Sequence, residues 1–322
     1  MYPPYRIRKV AFPAARGFAA LAPEMQKNYS APMLPGLLSP ADWSLPPLEM
    51  EFSVPYGVLL DEIARLAADL SQSTLPSAGL DWTQAHKRAV LLYLKCPGIV
   101  NVMLNYKICV EHDLPLHPTV YYELKEARKY RIDHGLPAID AANRLYRHSI
   151  QVARAALDLS PDAARLIQDF KAGLPKELLS FVYTGIRDGY TWRGSEPALL
   201  ERLAAKIREA YKPDILVGAA HGSIMPALLL SRYVDAPLYF VRFSMFKRYD
   251  EEPILTFSDK AWLYAFREGR ALLYDEDVAG GRTLNLFSEK LRPLFAEVRT
   301  ACSIRHAGSA IRPDFIAKTW WD

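Results

Sequence analysis

The segment Arg270-Ala-Leu-Leu-Tyr-Asp275-Glu276-Asp277-Val-Ala279-Gly280-Gly281-Arg282-Thr283-Leu284 sets adjacent carboxylates next to a glycine turn and a hydroxyl. Asp275 and Glu276 end an apolar run, where carboxylates accept hydrogen bonds from vicinal hydroxyls such as those of a ribose. Gly280 and Gly281 permit positive φ and let backbone N–H groups converge on one point. The start of a following helix adds its positive end there, and Thr283 adds a hydroxyl donor. That half suits a phosphate monoester, and a ribose 5-phosphate would fit both halves. A metal loop or a plain strand-to-helix corner is the competing reading of the same residues.

The elements needed to position this turn are also legible. Ala271–Tyr274 reads as a short buried strand, and the apolar spacing from Leu284 through Phe287 to Leu291 as a helix. Upstream, Glu201 to Tyr211 has the period of an amphipathic helix. Asp214 to Gly218 follows as a strand that leads through His221, Gly222 and Ser223 into a helix near Pro226. Pro237 to Phe243 and Val298 to Arg305 are further strand candidates. Ser244 to Glu268 is polar and aromatic without a clean period.

This order resembles the type I phosphoribosyltransferases, which use 5-phosphoribosyl 1-diphosphate (PRPP). The PRPP loop of that family is matched at Asp275, Glu276, Gly281 and Thr283. Asp277 stands where the family has an aliphatic residue, Gly280 where it often has Thr, and Ala279 where hypoxanthine-type members hold an aspartate base. The strand ending at Gly218 and the turn at His221 and Gly222 resemble the family's pyrophosphate loop, with His221 in place of Arg or Lys and Ser223 in place of a second Gly. Arg312-Pro-Asp-Phe315 resembles a segment beside the nucleobase in purine-type members. The family's Ser-Tyr pair is absent, since Met245 follows Ser244.

The resemblance covers residues 195 to 322. It implies an α/β fold with a mostly parallel sheet flanked by helices, and transfer of ribose 5-phosphate to a nucleobase-like acceptor with release of pyrophosphate. By the same resemblance Asp275, Glu276 and Asp277 are catalytic, and Asp275 and Glu276 face Mg²⁺. PRPP would be bound by Ala279, Gly280, Gly281, Arg282, Thr283, His221 and Gly222, with Arg242 and Lys247 on a flexible catalytic loop. Arg305, Phe315 and Trp320 would meet the acceptor. A PRPP-binding regulator without turnover is the alternative, favoured by the weakened pyrophosphate loop. An effector that modifies a nucleotide or macromolecule, with a protein or nucleic-acid partner, is another.

Composition agrees. The chain has 322 residues, is 50% hydrophobic, and carries a formal net charge of +4, which suits an anionic substrate without requiring nucleic acid. Cys96, Cys109 and Cys302 lack metal-type spacing, so a reducing cytoplasm is expected. No apolar run is expected to reach membrane length. Residues 1–50 are proline-rich and are expected to form an extended arm, and residues 51–194 a helical accessory domain. Helices are expected at 56–70, 82–95, 119–133, 139–157 and 160–171, the last opened by Ser160-Pro161. His112 and His117 read as loop residues rather than metal ligands, because Pro115 breaks the helix between them. The basic and aromatic run from Tyr121 to Arg131 reads as a solvated helix face. Tyr183, Arg187, Tyr190, Trp192 and Arg193 are placed to reach an acceptor. The expected ligands are PRPP and a small-molecule acceptor; a homo-oligomer is compatible, and no membrane is expected.

Overall fold

The structure, a computed structural model, describes residues 33–73, 81–115, 132–245 and 250–321. The expected helix at 119–133, the run from Tyr121 to Arg131, His117 and Lys247 lie wholly or mainly outside these residues, as does most of the proline-rich arm.

In chain order the N-terminal part comprises α1 (Met33–Leu38), β1 (Phe52–Pro55), α2 (Tyr56–Ser73), α3 (Trp82–Glu111), α4 (Gly135–Leu157), α5 (Ala163–Ala172), α6 (Lys176–Leu179) and β2 (Val182–Gly185). Next come α7 (Gly189–Gly194), α8 (Pro197–Ala210), β3 (Ile215–Ala220), α9 (Ile224–Tyr233), β4 (Leu238–Arg242) and α10 (Phe257–Leu263). The chain continues through β5 (Arg270–Val278), α11 (Arg282–Leu291), β6 (Glu297–His306) and β7 (Phe315–Trp320). Strands β1 and β2 form a small antiparallel ribbon. The other strands make a five-stranded sheet in the order β4-β3-β5-β6-β7, and each neighbouring pair is parallel. Helices connect the strands from β3 to β6, whereas β6 and β7 are joined by residues 307–314 without one. The order reverses between β3 and β5, so the crevice at the carboxyl ends of those two strands is the place where such a sheet admits a ligand.

Helix α3 departs most from its sequence reading. The expected end at Lys95 reflects Pro97, yet the helix runs through that proline to Glu111. Proline inside a helix removes one hydrogen bond and crowds the preceding turn. Here the segment after it, including Ile99, Val100, Met103 and Ile108, is wholly or almost wholly buried, and that burial offsets the cost. Gly98 is required beside it, because a Cβ there would lie 2.6 Å from Leu59 and 2.9 Å from Tyr183. By length and composition α3 would also cross a membrane, contrary to expectation, but its apolar window is 94% buried within the protein. The helix expected from Ser160 begins at Ala163, with Ser160 and Pro161 in the preceding turn.

The helices and the sheet share one hydrophobic core that runs from Leu34 to Ala301. Part of the proline-rich arm joins it: Leu34, Leu37 and Leu38 are buried, and Trp43 stacks on Trp192 with ring centroids 4.2 Å apart. Polar contacts bind α3 to the sheet's surroundings. Lys107, fully buried, donates to Asp259 Oδ1 at 2.5 Å and to Thr256 Oγ1 at 2.8 Å, and pairs with Glu111 at 3.3 Å. Tyr239 of β4 donates its hydroxyl to the same Asp259 oxygen at 2.6 Å. Thr256 and Asp259 form a capping box at the start of α10, so the later part of the aperiodic stretch from Ser244 to Glu268 is helical. On α4, the Tyr146 hydroxyl donates to the Phe240 carbonyl at 2.7 Å and accepts from its N–H at 3.0 Å.

Removing one partner of a buried ion pair leaves an uncompensated charge, which costs about 3–5 kcal/mol. Lys107→Met should therefore lower the unfolding free energy in urea by that amount. Arg165→Ala, which removes an exposed pairing with Asp162 and Asp169, should change it by less than about 1 kcal/mol.

Candidate active site

The crevice between β3 and β5 opens into a cavity of about 490 Å³. On one side it is lined by His221 and Gly222 after β3, and at its centre by Asp275, Glu276 and Asp277. The turn from Ala279 to Thr283 closes a further side, and Asp188 and Tyr190 come from the segment at α7.

Strand β5 extends further than the sequence suggested, through the carboxylates to Val278. Gly281 then caps α11 with φ +83°, a conformation that favours glycine, and no side chain caps the helix's first N–H groups. The start of α11 lines the cavity, with Thr283 half-buried beside Gly281 and Arg282. A Cβ at Gly281 would also meet Ile311 at 2.5 Å, so the β6–β7 connection packs directly on this turn.

At the β3 turn Ser223 is buried and donates to the Ala219 carbonyl at 2.6 Å, which tightens the entry into α9. A Cβ at Gly222 would fall on the Glu276 carboxylate, so the glycine leaves room for that carboxylate to lie against the turn after β3. The His221 ring lies 3.4 Å from the hydroxyl of buried Tyr183 in β2.

The three carboxylates differ in setting. Asp275 is 8% exposed, and burial, together with the charge of Asp277, pushes its carboxyl up to about 6. Burial and the neighbouring Asp275 push Glu276 well above the usual carboxylate range. Glu276 Oε1 accepts from the Thr191 hydroxyl at 3.4 Å, whereas Oε2 is buried without a hydrogen-bond partner. Burial also raises Asp277, against the opposing effect of His306, whose Nε2 lies 3.1 Å from Oδ1. Burial and mutual repulsion thus favour the protonated forms within this carboxyl cluster.

Other expected site residues lie elsewhere. Arg242 is 2% exposed and turned into the core, where it donates to Asn101 at 2.7 Å and Asn105 at 2.6 Å. Arg305 donates to the Ile311 and Ser309 carbonyls at 3.0 and 2.6 Å and so braces the β6–β7 connection. Phe315 opens β7 and packs on Tyr211, while the cavity lies beyond the strands' other ends. Trp320, at the closing end of β7, is near the site through Arg193, whose guanidinium lies 4.8 Å from its ring and 5.1 Å from that of Tyr190. Of the residues placed before the sheet, Trp192 is buried and Arg187 is bound to the Pro46 carbonyl at 2.9 Å, so only Tyr190 lines the cavity.

Asp188, Thr191 and His306 are the contributors that sequence reasoning missed. Asp188 accepts from the N–H groups of Tyr190 and Thr191 as the cap of α7, and from the Thr191 hydroxyl at 2.9 Å. The Asp-Gly-x-Thr pattern was a readable helix-start signal.

Residues 195–320 match the sequence profile of the family described as phosphoribosyl transferase domain. No curated protein sequence matches the chain. Among solved structures, a purine phosphoribosyltransferase from Pyrococcus horikoshii is 24% identical, with a TM-score of 0.33 over 40% of this chain and 83% of that one. A hypothetical protein from Neisseria gonorrhoeae with bound ppGpp is 22% identical, with a TM-score of 0.34 over 39% and 80%. A hypoxanthine phosphoribosyltransferase from Staphylococcus aureus is 18% identical, with a TM-score of 0.33 over 39% and 73%. The profile match and the strand order, rather than these scores, carry the family: the C-terminal part of the chain is a phosphoribosyl transferase domain of type I architecture.

Because Asp275 binds its proton more tightly in the folded protein, its contribution to stability is full below the ordinary value of 3.8 and is lost as pH rises through about 6. Asp275→Asn removes that loss. The ligand-free variant should be more stable than the parent by roughly 3 kcal/mol at pH 8 and nearly equal to it at pH 3, below the ordinary value, read by urea unfolding at both values.

Proposed function

We propose that the protein transfers a 5-phosphoribosyl group from PRPP to a nitrogen of a small nucleobase-like acceptor and releases pyrophosphate. One observation carries this reading: the Asp275–Glu276 pair stands beside an uncapped α11 N-terminus that opens at a positive-φ glycine, all in the switch-point crevice. The backbone from Ala279 to Thr283 would hold the 5-phosphate, and Asp275 and Glu276 would accept hydrogen bonds from the ribose hydroxyls. His221 and Gly222 face the leaving diphosphate.

In the transfer a bond forms between the acceptor nitrogen and C1 while the C1–O bond breaks, and its electron pair leaves with pyrophosphate. With Ala279 in the turn, the acceptor's proton goes to Asp277, which His306 backs at 3.1 Å. Burial of Asp275 and enclosure by the α7 segment limit water at the reacting carbon.

The donors fit Mg²⁺, since they are hard carboxylate oxygens and Glu276 Oε2 is buried without a partner. No group of three His, Cys, Asp or Glu among the described residues is arranged to hold a metal ion, so Asp275 and Glu276 would share it with oxygens of PRPP. When bound, Mg²⁺ supplies charge neutralisation for the diphosphate. A reducing cytoplasm is the proposed setting, in keeping with three buried free cysteines. A binding-only regulator is the second reading, favoured by His221, whose neutral imidazole holds a diphosphate less firmly than a guanidinium.

The joint variant Asp275→Asn with Glu276→Gln should fold, by circular dichroism, and should lose at least about 100-fold in pyrophosphate release from PRPP with an acceptor panel. Unchanged release would remove the assignment of this site, and PRPP binding by the parent without any release would favour the regulator.

A further inference from the structure

We propose that Tyr183 is a positioning residue for the leaving-group side of the site. Its hydroxyl donates to His221 Nε2 and takes up the one lone pair of the neutral imidazole, so that a diphosphate at the turn after β3 meets only N–H and C–H edges of the ring. This deepens the phosphoribosyl reading above and rests on it for the identity of the anion. Tyr183 lies in β2, before the matched residues 195–320, so the N-terminal part of the chain acts on the diphosphate through it. Its hydroxyl is 3.4 Å from His221 Nε2. His221 lines the cavity, whereas Tyr183 is 6% exposed and lies behind it. The Tyr183 ring is held on two sides: a Cβ at Gly98 would come within 2.9 Å of it, and Phe52 packs on it with ring centroids 5.8 Å apart. Pairing of β2 with β1 at Val54 holds the backbone. Ring and backbone together leave the hydroxyl little freedom to turn elsewhere.

The direction of this hydrogen bond follows from burial. A buried O–H without an acceptor is costly, and His221 Nε2 is the acceptor that the Tyr183 hydroxyl finds among the described residues. Burial raises the phenol well above its ordinary value, which keeps the proton on oxygen and the group a donor. A neutral imidazole has one N–H and one lone pair, and the hydrogen bond made at one nitrogen decides which of the two carries the proton. With Nε2 accepting, the proton sits on Nδ1. The oxygens of an ionised diphosphate are acceptors, which an open ring lone pair would repel. Tyr183 removes that repulsion at a turn that has no lysine or arginine between Gly218 and Pro226.

Two readouts test this. In ligand-free protein at about pH 8, where an ordinary histidine is neutral, nitrogen NMR of isotope-labelled samples reports the tautomer of each ring, and His221→Ala identifies the His221 signals. The parent should be protonated at Nδ1, and Tyr183→Phe, which keeps the ring against Gly98 and Phe52, should shift His221 toward the Nε2–H form. By calorimetry with Mg²⁺, Tyr183→Phe should weaken inorganic pyrophosphate and PRPP by about 5-fold or more, and ribose 5-phosphate by less than about 2-fold. In a His221→Ala background the same substitution should leave pyrophosphate affinity within about 2-fold. A parent protonated at Nε2, a tautomer unchanged in Tyr183→Phe, or an equal loss for ribose 5-phosphate overturns the assignment of Tyr183. Undiminished pyrophosphate affinity, or a further loss in the His221→Ala background, does the same. Selective weakening of pyrophosphate in a protein that does not bind PRPP upholds Tyr183 and overturns the phosphoribosyl reading. A parent that binds neither overturns both.

Discussion

A lysine ammonium group with no access to water, Lys107 near the C-terminal end of α3, is the interaction on which the arrangement of the rest depends. A buried cation is tolerated only where its hydrogen bonds and countercharge are supplied locally. Asp259, Glu111 and Thr256 supply them, and two of these lie at the start of α10, nearly 150 residues away in sequence. The ion pair therefore ties the longest helix of the N-terminal part to a segment between two strands of the phosphoribosyl transferase domain. Tyr239 on β4 is held to the same carboxylate, and Arg242 at the end of β4 is held by Asn101 and Asn105, which lie before Lys107 on α3. The helical region is thus part of what shapes the sheet.

The same dependence reaches the site. The turn after β3 meets β2 through His221 and Tyr183, and Glu276 of β5 meets α7 through Thr191. Both supports belong to the stretch between residues 182 and 194, which α3 positions by the close approach of Gly98 to Tyr183. Enclosure by this scaffold is what raises the Asp275 and Glu276 carboxyls above their ordinary range.

What could be read from the sequence was local. The carboxylates, the glycine turn and the helix after it are consecutive, and their chemistry follows from residue types alone. The parallel strands were legible because short apolar runs between helices have few other uses. Side-chain direction was not legible. Arg242 and Arg305 sit on strands that were read correctly and Phe315 on one that was not read, but which end or face of the sheet each serves depends on neighbours far away in sequence. Arg242 faces α3, Arg305 faces a connection that does not exist until β7 pairs with β6, and Phe315 opens its strand rather than closing it. The continuation of α3 through Pro97 was hidden for a related reason: local propensity ends the helix there, and only burial on all sides sustains it. His306 reached Asp277 through strand pairing, which no spacing rule reveals.

The Tyr146 hydroxyl, which both donates to and accepts from Phe240, has a consequence for how this sheet meets other molecules. Strand β4 is an outer strand, and unsatisfied backbone groups along such a rim are a template for strand addition from another chain. Tyr146 occupies the rim at Phe240, and the Ile254 N–H occupies it at the Arg242 carbonyl, 2.8 Å away. The sheet is thereby blocked against edge-to-edge growth on that side. A phosphoribosyl transferase domain cut free of α4 would regain a sticky rim, so aggregation, rather than loss of the ligand cavity, is the first defect such a fragment would show.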